Sequence, residues 1–168
     1  LYLLNTTVLE VFTVLGSVIS CALVAYPLAR MTFRGRNAIF TIVILTMLIP
    51  WQGLMIPQFV EFYSIGWYGT YLPLIVPSFT GSAFFVFLIR QYMKSIPKEL
   101  DEAARLDGAG SFRIFWSVIL PLSRPALTVC AVFTFLGTWN DLLSPVIYIN
   151  DQQKFKAARV LIIGAGGL

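Results

Sequence analysis

Four stretches of this chain are each about as long and as apolar as a membrane crossing requires, and nothing else in the sequence constrains the fold more. A helix needs roughly 20 mostly apolar residues to cross the hydrocarbon core of a bilayer. Such runs extend from about Val8 to Ala29, Ala38 to Pro57, Tyr71 to Ile89 and Ala126 to Ile149. In lipid every backbone polar group must be satisfied within the protein, so only helices and closed barrels can span. The runs predict an all-α membrane protein, a multi-span helical bundle, with 1–168 forming a single transmembrane domain. Charged residues make up only 12% of the chain, against about 25% in a soluble domain. That leaves too little polar surface to cover a water-soluble globule. The opening Leu1 and the closing Gly166-Gly167-Leu168 suggest a fragment of a longer multi-span protein.

The same composition removes several chemistries. The chain has no His, the residue most used as a general base near neutral pH and the commonest metal ligand. Cys21 and Cys130 each lie inside an apolar run and read as small hydrophobes. No metal site is therefore expected. Glu10 and Asp141 fall near the ends of the first and fourth runs, where each is expected to reach the interface. Pro27, Pro50, Pro73 and Pro77 fall within the runs, and membrane helices tolerate proline when neighbours re-satisfy the freed backbone groups.

The connections set an orientation. Arg30, Arg34 and Arg36 separate the first two runs, while Arg90, Lys94, Lys98, Arg105, Arg113 and Arg124 separate the last two. Residues 58–70, between the second and third runs, hold Glu61 and no Lys or Arg. Cytoplasmic loops carry the excess of basic residues, so the two basic loops are assigned to the cytoplasm. Lys154, Lys156 and Arg159 fall on the opposite side and weaken the pattern without reversing it. The net charge of +4 thus reflects topology, and no nucleic acid partner is expected. Phe59, Phe62, Tyr63, Trp67 and Tyr68 place the connection at 58–70 along the outer interface, where Trp and Tyr collect, as an aromatic belt or as a docking surface for an external partner.

The loop from Arg90 to Pro125 is 36 residues long, far beyond the two to eight usual between bundled helices, and needs structure of its own. Pro97 favours a helix start, with Ser95 a candidate cap before it. Glu99, Asp101 and Glu102 suit the positive end of the helix dipole. Leu100, Ala103 and Ala104 make a narrow apolar face, and Gly108 is suited to close the helix. A second helix is predicted from Ser111, with Phe112, Phe115, Trp116 and Ile119 as one amphipathic stripe suited to the membrane or to packing under the bundle. Leu120-Pro121 and Pro125 punctuate the turn into the fourth run.

These residues carry a resemblance. Glu102-Ala103-Ala104, Gly108 and the later Val118-x-Leu120-Pro121 resemble the EAA loop of bacterial ABC importer permeases. The strings Ile96–Ala109, Leu120–Leu127 and Phe133–Asp141 look like its carbohydrate branch, in particular the second permease subunit of maltose-type sugar importers. Val118 stands where the family pattern usually has Ile, and Phe155–Arg159 departs from its usual apolar run. The resemblance covers nearly the whole chain, from the region of Asn5 through Asp151.

It implies a permease of the bacterial inner membrane that forms half of a translocation path for a carbohydrate or sugar derivative. Its implied partners are an ATP-binding subunit dimer, a second and different permease, and an extracytoplasmic solute-binding protein. Glu102, Ala103, Ala104, Gly108, Leu120 and Pro121 would couple to the ATPase. The chain contains no phosphate-binding loop of the G-x-x-x-x-G-K-[ST] type, so ATP would sit on the partner, and no catalytic residue or bound cofactor is expected here. Trp139-Asn140-Asp141 leaves two readings open, a stretch of substrate path or an interfacial anchor at a helix end. The competing reading of the whole chain is an ATP-independent secondary transporter or channel, which predicts charged residues near span centres and leaves the EAA loop unexplained.

Overall fold

The computed structural model describes residues 2–149, with side chains from Leu4 onward, and every regular element among them is helical. The tail holding Lys154, Lys156, Arg159 and the apolar run Val160–Ile163 lies outside the described residues. Helix α1 (Tyr2–Arg30) is the axis of the bundle. It extends beyond the predicted 8–29 at its start, so Glu10 lies inside a helical segment, Leu4–Arg30, that is long and apolar enough to cross a membrane.

The predicted span at 38–57 is not one helix. Helix α2 (Arg36–Thr46) ends, and α3 (Trp51–Ser64) leaves it at 94°. The cause is local. The N–H groups of Met47, Leu48 and Ile49 each bond to the carbonyl three residues back, which tightens the last turn. Pro50 then takes an extended ψ of 133° and has no N–H to continue the ladder. Helix α2 alone covers about 16 Å at 1.5 Å per residue, roughly half the hydrocarbon thickness.

The third run consists of α4 (Leu72–Ile75), a 3-10 turn (Val76–Thr80) and α5 (Ala83–Ser95). Together they give a second segment, Leu72–Ser95, long and apolar enough to cross. Pro73 and Pro77 occupy first turns, where a missing N–H costs nothing. Helix α5 continues to Ser95, so the first residues of the predicted loop 90–125 are helical. Helix α6 (Glu99–Leu106) follows. Next comes a helical stretch made of α7 (Ser111–Ile114), a π-helical turn (Phe115–Ile119) and α8 (Leu120–Leu122), which meets α9 (Arg124–Trp139) at 73°. The predicted fourth span at 126–149 also breaks. Helix α9 stops at Trp139, and α10 (Leu143–Tyr148) starts anew. Asp141 Oδ1 accepts bonds from the N–H groups of Leu143 and Ser144 at 3.0 and 3.1 Å, capping α10 and separating it from α9.

The core lies along one face of α1. Cys21, Ala22, Ala25 and Ala29 are buried there against Val86, Ile89 and Met93 of α5 and Ala126 and Cys130 of α9. Small side chains let helix backbones approach closely in lipid, where apolar burial alone does not drive association. Polar contacts supplement the packing, with Thr134 Oγ1 and Ser17 Oγ 3.2 Å apart and the Ser82 N–H donating to Cys21 Sγ at 3.3 Å. Leu23, Ile42, Leu48 and Phe133 point outward and are half or more exposed, as a lipid-facing surface requires. The approach of the 3-10 turn to α1 is tight at Gly16, where an added Cβ would lie 2.6 Å from Phe79 Cε2. Gly16→Val is expected to lower the thermal midpoint in detergent, by an overpacking cost of about 1 kcal/mol or more. An unchanged midpoint would mean that the Phe79 ring swings aside without penalty.

Candidate functional site

Glu10 and Arg30 stand twenty positions apart on α1, about 30 Å of helix. The candidate residues gather around these two positions.

At the Arg30 end, α6 begins at Glu99 with Lys98 as its cap position and no side-chain cap bond. Ser95 is not the cap that its place before Pro97 suggests. It is the last residue of α5, where its hydroxyl donates to the Tyr92 carbonyl at 2.8 Å. The close of α6 follows the sequence. The Ala109 N–H reaches the Ala104 carbonyl at 2.9 Å, the Gly108 N–H reaches that of Arg105 at 3.0 Å, and Gly108 has φ +78°. This is a Schellman closure with glycine in the left-handed position.

The last turns of α1 hold the loop at both of its helices. Arg30 Nη1 lies 3.6 Å from Asp101 Oδ2, with both side chains buried, and Arg30 Nη2 donates to the Ile96 carbonyl at 2.9 Å. The Tyr26 hydroxyl donates to the Ser111 carbonyl at 2.9 Å, and its ring packs 4.9 Å from that of Phe115. Carbonyls at the end of α1 are satisfied in turn by guanidinium groups, Arg90 Nε on Leu28 and Arg36 Nη1 on Met31. Cations here complement both the orphan acceptors and the negative end of the helix dipole. Arg90 also lies over the Phe40 ring at 3.6 Å.

The named coupling residues separate by exposure. Glu102, Ala103 and Gly108 face outward, whereas Ala104 and Leu120 are half-buried against the core and Pro121 is half-buried. The predicted stripe splits in two. Phe115 and Ile119 enter the core, while Phe112 and Trp116 stack on each other at the surface, ring centroids 6.5 Å apart. Leu106, which the sequence reading passed over, is 90% exposed at the end of α6. Its signal was a leucine immediately before Asp107-Gly108, outside the Leu100, Ala103, Ala104 face.

At the other end, α1, α3, the α4 region and α10 enclose a cavity of about 290 Å³. Glu10, Asp141, Asn5, Gln58 and Ser144 line it, together with the rings of Trp51, Phe62 and Tyr148. Glu10 is only 4% exposed, and neither of its carboxylate oxygens has a hydrogen-bond partner among the described residues. It is buried, whereas a charge at the end of a span is expected to be exposed. The helix begins earlier than the apolar run, which places Glu10 more than two turns inside α1. Of the predicted triplet, Asp141 lines this cavity. Trp139 instead lines a neighbouring apolar groove with Phe135, and Asn140 donates to the Leu136 carbonyl at 2.7 Å and lines neither.

The family described as "Binding-protein-dependent transport system inner membrane component" matches residues 12–162. Protein LplC of Bacillus subtilis is 38% identical over 137 residues, covering 82% of this chain and 45% of LplC. The arabinooligosaccharides transport system permease protein AraQ of Halalkalibacterium halodurans is 34% identical over 151 residues, 90% of this chain and 54% of its own. The sn-glycerol-3-phosphate transport system permease protein UgpE of Yersinia pestis is 35% identical over 153 residues, 91% and 54% respectively. The chain thus spans about half the length of these relatives. The fold matches, with a TM-score of 0.85 and 30% identity, a crystal structure of a bacterial ABC transporter involved in the import of the acidic polysaccharide alginate, over 96% of this chain and 56% of that one.

Proposed function

Because the chain belongs to the inner-membrane component family of binding-protein-dependent transport systems, we propose that it is a permease subunit of an ATP-driven importer for a carbohydrate or sugar derivative. Its coupling loop, 96–123, would face the cytoplasm and dock on an ATPase dimer, with a second permease alongside and a solute-binding protein outside. Relatives whose names specify arabinooligosaccharides and glycerol phosphate support the substrate class.

The observation that carries this reading is the surface of the loop. Leu106, Phe112 and Trp116 are turned outward, while α1 grips the backbone behind them through Arg30, Asp101, Tyr26 and Ser111. Exposed apolar side chains on a held, otherwise charged segment are what a protein partner buries. Glu102 and Ala103 flank the patch, and Gly108 supplies the turn that presents it. Leu120 and Pro121 join the stretch to α9. A shift of α6 driven by ATP on the partner would pass to α1 through the buried Arg30–Asp101 pair. From there it would reach the far cavity, as one of two arrangements that the nucleotide biases. Glu10, an acid inside α1, suits the alternative of an ATP-independent transporter, but that alternative gives the outward patch no task.

A cysteine at Ala103 in the intact importer is expected to crosslink to the ATPase subunit, with a yield that changes on adding ATP. With all partners present and folded, no crosslink from Ala103, Leu106 or Phe112 would make the loop an internal brace and favour the ATP-independent reading.

A further inference from the structure

A carboxylate that is almost wholly buried and accepts no hydrogen bond is costly, and inside a membrane-spanning helix it calls for a partner. Glu10 is such a group, and it lines a cavity. Around it lie amide and hydroxyl groups from three other elements, Gln58 of α3, Ser78 of the 3-10 turn and Ser144 of α10, with the flat rings of Trp51 and Tyr148 beside them. Amides and a carboxylate placed beside aromatic side chains match a sugar, whose hydroxyls hydrogen-bond and whose C–H groups pack on rings. The volume of about 290 Å³ falls at the lower edge of small-molecule pockets, roughly 300–1,000 Å³, and fits one end of a saccharide rather than a long chain.

Charge narrows the class further. Glu10 and Asp141 are the charged residues lining the cavity, and no Lys or Arg joins them among the described residues. Asp141 is held by the two N–H groups it caps. A hydroxyl can pair with Glu10 whether that carboxyl is ionised or protonated, because it both donates and accepts. A uronate or phosphate group would find no cation among the described lining residues and two acids, and like charges at close range in a low dielectric repel strongly. We propose that this cavity is a binding subsite for the hydroxyl groups of an uncharged sugar, with Glu10 as its principal hydrogen-bonding group, and that it discriminates against acidic sugars. The inference rests on the carbohydrate-importer reading and names the substrate class within it.

The test uses the intact importer in lipid nanodiscs without ATP, and equilibrium binding of three labelled probes. These are maltotriose (neutral), trigalacturonate (anionic) and the glucosamine trimer (cationic). Maltotriose is expected to bind saturably at millimolar concentration, at least tenfold more tightly than trigalacturonate. Glu10→Leu should weaken maltotriose binding about tenfold, the effect of losing one hydrogen bond to a charged group. Glu10→Gln, which keeps the shape and can still bond a hydroxyl, should stay within about threefold of the parent. The inference is overturned if maltotriose does not bind, if trigalacturonate binds as well, or if Glu10→Leu changes nothing. It is also overturned if only the cationic trimer binds, or if Glu10→Gln loses as much as Glu10→Leu, since both would make Glu10 an ion-pairing group. ATP hydrolysis stimulated by the binding protein is measured on the same particles. Its absence in the parent sinks the importer reading, whereas normal hydrolysis with any of the overturning results sinks the subsite alone.

Discussion

Replacing Leu106 by Asp in the intact importer is expected to reduce ATP-driven uptake by roughly 30-fold or more, the effect of losing a hot-spot residue worth about 2 kcal/mol at an interface. The chain itself should be unharmed. Leu106 is 90% exposed, so the substitution leaves no cavity and buries no charge within this fold. Loss of uptake, with normal insertion and an unchanged thermal midpoint, therefore reports on a surface that something else covers. Gly108→Asp acts at the same place by a different route. At φ +78° an added Cβ meets nothing within 4 Å, and Asp is among the few residues that enter the left-handed region. The helix should therefore still close, but a carboxylate would stand on the proposed docking face. Normal uptake by both variants would remove the patch from the coupling surface.

The second large effect is expected at Arg30. Removing one member of a buried ion pair leaves the other charge uncompensated, at a cost of about 3–5 kcal/mol. Arg30→Ala strands Asp101, whose Oδ1 already lacks a partner, and also deletes the bond to the Ile96 carbonyl. The loss should be local, loosening α6 from α1 while the small-residue packing between α1 and α5 persists. Amide exchange across 96–111 is expected to accelerate more than about a hundredfold, with little change in the first half of α5. The exchanged pair Arg30→Asp with Asp101→Arg should recover part of that protection. Unchanged exchange in Arg30→Ala would show that the Tyr26–Ser111 bond alone holds the loop and would free the ion pair from any part in coupling.

What could be read without coordinates follows the reach of each interaction. The apolar runs, the closing turn at Gly108 and the restart at Ser111 depend on residues a few positions apart, and all are visible in the chain. The 94° corner at Pro50 was not. A proline inside an apolar run is compatible with a kinked span or a full turn, and the extended ψ before α3 distinguishes them. The stripe at Phe112–Ile119 was correctly periodic, but periodicity does not say which of two sides a helix buries. The π-helical turn at Phe115–Ile119 shifts that register further. Glu10 and Arg30 were legible as charges and not as buried ones. Each meets a residue far along the chain, Asp101 beside Arg30 and Asp141 in the cavity of Glu10, and no local pattern encodes such meetings.

The native thiols have a practical meaning. Cys21 and Cys130 are the chain's two cysteines, and both are fully shielded, between α1 and α5 in one case and α1 and α9 in the other. Buried in this way they should be inert to maleimides, so a reporter cysteine introduced within these 168 residues would meet no reactive thiol of this segment. The same shielding makes the pair an intrinsic gauge. If the transport cycle slides these helices apart, the two sulfurs will begin to react, and the step at which they do so dates the opening of the seam.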